Sequence, residues 1–218
     1  MHSAVQLVTE GVCVLYMNIR SPIDNTGYPG RDSIPAQMLT DHCPTEDEYR
    51  IRCFAFFAAI FKVLRTSLEQ NQPNWYKDMC DLQSHARRSF FADLVKEYAN
   101  ASTMDVRYFV AIFTYLQVEK TISTTPSIGS RVMNEYYKKM VTSENFPQAN
   151  ANEPTVVIAI DEAHVLHEKH DSEPFSRAAV LLHTIKEYSQ GDENQVWVVF
   201  GSTTSKVAHF ASPQALCT

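Results

Sequence analysis

The segment Thr155-Val156-Val157-Ile158-Ala159-Ile160-Asp161-Glu162-Ala163-His164 constrains this chain more than any other. Residues Thr155 to Ile160 are all apolar or β-branched and run without a break into two adjacent carboxylates. A strand with one face in water would alternate, so an unbroken run of this kind reads as a strand buried on both faces, as in a parallel sheet. Open parallel sheets bind their ligands beyond the C-terminal ends of the strands. Two acids at that end are candidates for metal and proton chemistry, and the expected fold class is α/β. The simpler alternative is a buried strand that ends in an acidic turn.

A second buried-strand pattern, Gln195 to Gly201, also ends in polar residues, Ser202-Thr203-Thr204-Ser205-Lys206. Hydroxyls there can donate to a phosphate and accept from a water. A helix is expected between the two strands. Ser172 can cap it, Glu173 and Pro174 suit its first turn, and Ala178, Leu181, Leu182 and Ile185 fall at helical spacing, with Gly191 past its end. A right-handed strand–helix–strand crossover would bring Asp161 and Glu162 to the same sheet edge as Ser202 and Thr203. Gly11 to Arg20 supplies a third strand pattern, followed by a polar loop with Pro22, Asp24, Asn25, Gly27, Pro29 and Gly30.

The stretch between the Gly11–Arg20 and Thr155–Ile160 patterns is helical in character. Thr45-Glu46-Asp47-Glu48 is a capping-box pattern, opening a long apolar helix to about Leu68 with Ile51, Phe54, Phe57, Ala58, Phe61 and Leu64 on its buried side. Further helices are expected over His85–Tyr98, Val106–Val118 and Arg131–Val141. The chain thus reads as one domain, residues 1–218, with a helical insertion at about 45–145. Its aromatics are expected in the core.

Composition narrows the function classes. A formal net charge of −6 argues against an electrostatic nucleic-acid binder, and Arg87-Arg88 reads as a solvated helix face. The five cysteines are widely spaced with no C-x-x-C, which suggests neither zinc nor a disulfide framework and fits an intracellular, cytoplasmic setting. The longest apolar run, Cys53 to Phe61, is too short to span a bilayer. His164, His167 and His170 recur every three residues but lack H-E-x-x-H, so they read as a solvated loop after the strand. His183 is expected at the edge of the core. A phosphate cradle of the form G-x-x-x-x-G-K-[ST] is absent: none of the six glycines is followed by Lys.

The strand–acid segment resembles the Walker B motif of a P-loop NTPase. Together, Leu15-Tyr16-Met17-Asn18-Ile19-Arg20 with the Gly27-Tyr28-Pro29 turn, Ile158 to His164, and Phe200 to Lys206 resemble the nucleotide-binding region of a multicopy family of fungal P-loop NTPases common in basidiomycetes. That family is similar in style to the ATPase portions of Crinkler and retrotransposon-hot-spot proteins. The resemblance implies a small parallel sheet of the additional-strand P-loop type. It implies Mg²⁺ held by Asp161, an attacking water polarised by Glu162, and ATP or GTP sensed by Ser202, Thr203 or Thr204. It also implies an incomplete sheet, with the Walker A strand and the last strand missing, so that the chain alone is weak or inactive. The edge Val196–Phe200 would then be exposed, with apolar side chains on both faces, and would favour self-association.

Two alternatives share these residues. Asp161-Glu162-Ala163-His164 is identical to motif II of DEAH-type helicases of superfamily 2, and Ser202-Thr203-Thr204 resembles their motif III. The other alternative is a non-enzymatic interaction module on a degenerate NTPase fold, working through its helical insertion.

Overall fold

The computed structural model describes residues 12–23, 30–70, 79, 81, 83–116, 128–144, 146, 154–168, 174–188 and 196–202, without the side chains of 102–116. The chain is mixed α/β. Strand β1 (Cys13–Asn18) is followed by helices α1 (Ser33–Thr40), α2 (Glu46–Glu69), α3 (His85–Leu116) and α4 (Ile128–Val141). Strand β2 (Val156–Asp161), a 3-10 helix (Ala163–His167), helix α5 (Arg177–Tyr188) and strand β3 (Val196–Phe200) complete the order.

The three strands form one parallel sheet in the order β1-β2-β3. The register sets Asn18 beside Asp161, and Ile160 beside Phe200, so all three strands end at one edge. Alternate residues Cys13, Leu15, Met17, Val156, Ile158, Ile160 and Val196 enter the main hydrophobic cluster. The opposite face of β3 behaves differently: Trp197 and Val199 remain 47% and 48% exposed. The expectation that both faces of β3 would be bare is therefore corrected. Val196 is buried, and Val198 and Phe200 pack against the core, so only one face shows apolar surface.

Helix α2 is the hub. Its Thr45 cap accepts a hydrogen bond from the Glu48 amide at 3.2 Å, and three acids in its first turn complement the helix dipole. From Cys53 to Phe61 every residue is buried, because α3, α4 and α5 pack around the helix. Phe61 meets Tyr137 of α4 and Tyr188 of α5 at ring distances of 5.3 and 5.2 Å. Tethers to α1 add to this. Tyr49 donates to the Leu39 carbonyl, and Arg177, at the start of α5, donates to the Thr40 carbonyl. These are the terminal carbonyls of α1, which have no partner within the helix itself.

Several expectations fail for local reasons. The two helices expected over His85–Val118 are one, His85–Leu116, since no Pro or Gly interrupts Asn100-Ala101-Ser102-Thr103. Helix α5 starts after Pro174, and Ser176 rather than Ser172 serves its first turn by accepting from the Ala179 amide. Helix α1, with Pro35 in its first turn, was not expected at all. His183 faces solvent beside Glu187 rather than the core edge. Ser172, Gly191, Thr203 and Thr204 lie outside the described residues, as do Cys80, Cys217 and His170.

Candidate functional site

The C-terminal edge of the sheet gathers the polar residues. Asp161 closes β2 with its carboxylate between the two neighbouring strands. Its Oδ2 accepts a 2.6 Å hydrogen bond from the phenol of Tyr16, on β1. Tyr16 pairs in register with Ala159, so Asp161 is its diagonal neighbour on the same face, within reach of an aromatic side chain. Asp161 Oδ1 accepts from the Glu162 amide at 2.9 Å. On the β3 side that oxygen lies over Gly201, where an added Cβ would come within 2.8 Å of it. Glycine at 201 is what allows the carboxylate this position. Burial, then the hydrogen bond to Asp161 and its charge, push the Tyr16 phenol well above its ordinary range.

Glu162 follows in the left-handed region, at φ 57° and ψ 32°. A residue with a Cβ is strained there by about 1–2 kcal/mol. Backbone bonds hold the turn: Gly201 donates to the Ile160 carbonyl and Ala163 to the Gly201 carbonyl. The strained turn sends the Glu162 side chain inward, where it is 2% exposed and its Oε1 meets Arg20 at 3.1 Å. Arg20 is itself 6% exposed. Breaking such a buried pair from one side costs about 3–5 kcal/mol, because it leaves a charge in a poor solvent.

The segment beyond β2 is not the solvated loop expected from its histidines. It is a 3-10 helix with Ala163, Val165 and Leu166 buried. His164 Nδ1 lies 3.2 Å from Ser202 Oγ and 3.2 Å from Glu162 Oε2. A serine–histidine–acid relay needs serine and acid on opposite ring nitrogens. Here both face the same nitrogen, so the arrangement is not a hydrolytic triad.

The other wall of the edge is braced by Arg87, which is buried rather than solvated. Its guanidinium donates to the Tyr16 carbonyl at 2.8 Å, Asp32 Oδ2 at 2.7 Å and the Met79 carbonyl at 3.1 Å, and stacks over the Phe91 ring. Asp32 also accepts from the Asn18 amide at 2.8 Å. Arg88, next in sequence, is exposed as expected.

Asp161, Glu162 and Ser202 thus stand at one edge. Tyr16, Arg20 and Gly201 join them; the segments that carry the resemblance contain all three but gave none of them a role. The available signals were a tyrosine two residues before Asn18 on the same strand face, an arginine two residues after β1, and a glycine directly after β3. Among the described residues no group of three or more His, Cys, Asp or Glu side chains could hold a metal. One carboxylate with lone pairs to spare suits Mg²⁺, which keeps several waters and takes further oxygens from phosphates.

The site defines the class as a parallel α/β sheet with acids and a hydroxyl at its C-terminal edge. No family model matches the chain, and no curated protein or solved structure matches it. Among the described residues no helix is long and apolar enough to cross a membrane.

Proposed function

We propose that this chain is a P-loop NTPase-like core that binds Mg²⁺ and ATP or GTP weakly at the C-terminal edge of its sheet. The observation that carries the reading is the meeting of Asp161, Glu162 and Ser202 at that edge, on two adjacent parallel strands in the order β1-β2-β3. The additional-strand sheet places its acid and sensor strands side by side in the same way. In this reading Asp161 orders the hydrated cation and Ser202, with Thr203 and Thr204, contacts the terminal phosphate. Bound Mg²⁺ would supply charge neutralisation at the phosphates.

The resemblance to the Walker B motif gives Glu162 the role of general base. Its burial against Arg20 removes it from any attacking water in this conformation. With no glycine cradle for the phosphates, turnover is expected at or near background, since phosphoryl transfer depends on positioning and charge stabilisation. Phosphate release by the purified chain, compared with Glu162→Gln, tests this. Background rates in both variants, together with measurable nucleotide binding, fit the proposal. Fast turnover abolished by Glu162→Gln would overturn the weak-core reading.

The buried Arg20–Glu162 pair also favours a second reading, an interaction module that keeps the fold without hydrolysis. That reading requires no nucleotide binding at all. It places a protein partner on the helical segment, or a second copy against Trp197 and Val199. The contact of His164 with Ser202 joins the two segments that resemble helicase motifs II and III. ATP turnover stimulated by a nucleic-acid duplex would favour the helicase alternative.

A further inference from the structure

We propose that Tyr16 is the positioning residue of this site: its phenol sets the Asp161 carboxylate for a hydrated divalent cation. The inference rests on the nucleotide-site reading and deepens it.

The geometry leaves Asp161 little freedom. A carboxylate offers about four lone-pair positions. Tyr16 takes one on Oδ2, and the Glu162 amide takes one on Oδ1. The remaining two can accept from metal-bound waters. Gly201, which has no Cβ, leaves the space beside Oδ1 that the carboxylate occupies. Of the two groups that hold the carboxylate, the Glu162 amide is backbone. Among the described residues, Tyr16 alone donates a side-chain hydrogen bond to the carboxylate and so fixes its rotation. It does so from a different strand, so the orientation of Asp161 depends on the β1–β2 register.

Nothing in the hydrophobic packing calls for a hydroxyl at position 16. Its neighbours Leu15 and Met17 turn to the main cluster, whereas Tyr16 turns to the face that carries Asp161. Partners that orient a metal-ligating carboxylate are commonly worth about 10–100-fold in metal affinity. Tyr16→Phe removes the hydroxyl and keeps the ring.

Mn²⁺ is the probe, titrated into the full chain with a slowly hydrolysed ATP analogue and followed by electron paramagnetic resonance. Tyr16→Phe is expected to weaken Mn²⁺ binding about tenfold at an unchanged thermal midpoint. Asp161→Asn should abolish it. Met17→Ala, on the opposite face of the same strand, should lower the thermal midpoint and leave Mn²⁺ affinity intact.

Wild-type affinity in Tyr16→Phe, with binding lost in Asp161→Asn, would overturn the role of Tyr16 and leave the site standing. An equal loss in Met17→Ala would assign the effect to stability and also overturn it. Unchanged binding in Asp161→Asn, or no binding by the wild type, would overturn the site reading and this inference together.

Discussion

The α2 hub and the C-terminal edge of the sheet are both buried, but they are built from opposite materials. The hub is nine consecutive buried residues, none of them charged, in good helical geometry. The edge holds a buried ion pair, a tyrosine–carboxylate bond, and a glutamate in a left-handed conformation. Hydrophobic burial accounts for the first without any reference to function. The second has strain and desolvated charge, which fold stability alone does not require, and such features concentrate at functional sites.

The comparison can be broken by stability measurements. The largest loss is expected in the hub. Phe61→Ala removes a ring that meets Phe57, Tyr137 and Tyr188, and should cost about 3–5 kcal/mol in urea unfolding. At the edge, Arg20→Met alone should cost about 3 kcal/mol, by leaving Glu162 buried without the guanidinium. The double variant Arg20→Met/Glu162→Leu should regain most of that loss, because an apolar pair of similar size has no desolvation cost. If the double variant lost as much as Phe61→Ala, the edge would be a stability element like the hub.

How much was legible in the sequence follows the same division. The strand Thr155–Ile160, the Thr45 cap and the apolar face of α2 were readable, because periodicity and capping are local properties. Parallel pairing of β1, β2 and β3 also followed, from unbroken apolar runs and a crossover helix. Arg87 was misread as solvated because adjacent charges give no local sign that three acceptors and a ring await one of them. The same holds for Arg20 and Tyr16, whose partners lie 142 and 145 residues away. The 3-10 helix at Ala163–His167 was misread because its histidines suggested exposure, while Val165 and Leu166 decided its burial.

A smaller effect concerns alkaline pH and belongs to the hub side. Burial pushes the Cys53 thiol from 9.0 up to about 12, and raises the phenols of Tyr49 and Tyr188 above their ordinary value. These groups stay neutral when folded and ionise sooner when unfolded. Their contribution is fully present below pH 9 and is lost as pH rises from about 9 toward 12. Urea midpoints should therefore be flat from pH 7 to about 9 and fall above it. A Cys53→Ala variant should show a shallower fall.

The smallest effect is expected on the open face of β3. Trp197→Thr and Val199→Thr should change stability by no more than about 0.5 kcal/mol, since both side chains are about half exposed. If a second copy packs there, light scattering of the wild type should rise with concentration, and that of Trp197→Thr should not. A loss of several kcal/mol would place Trp197 with the hub.

The central claim is that the polar edge is a site for Mg²⁺ and a nucleoside triphosphate, and equilibrium binding of a fluorescent ATP analogue with and without Mg²⁺ tests it most directly. The wild type should bind weakly and only with Mg²⁺, and Asp161→Asn should lose the Mg²⁺-dependent part while unfolding at the same temperature. Binding that is indifferent to Mg²⁺ and to Asp161→Asn, or no binding by a fully folded wild type, would contradict the account.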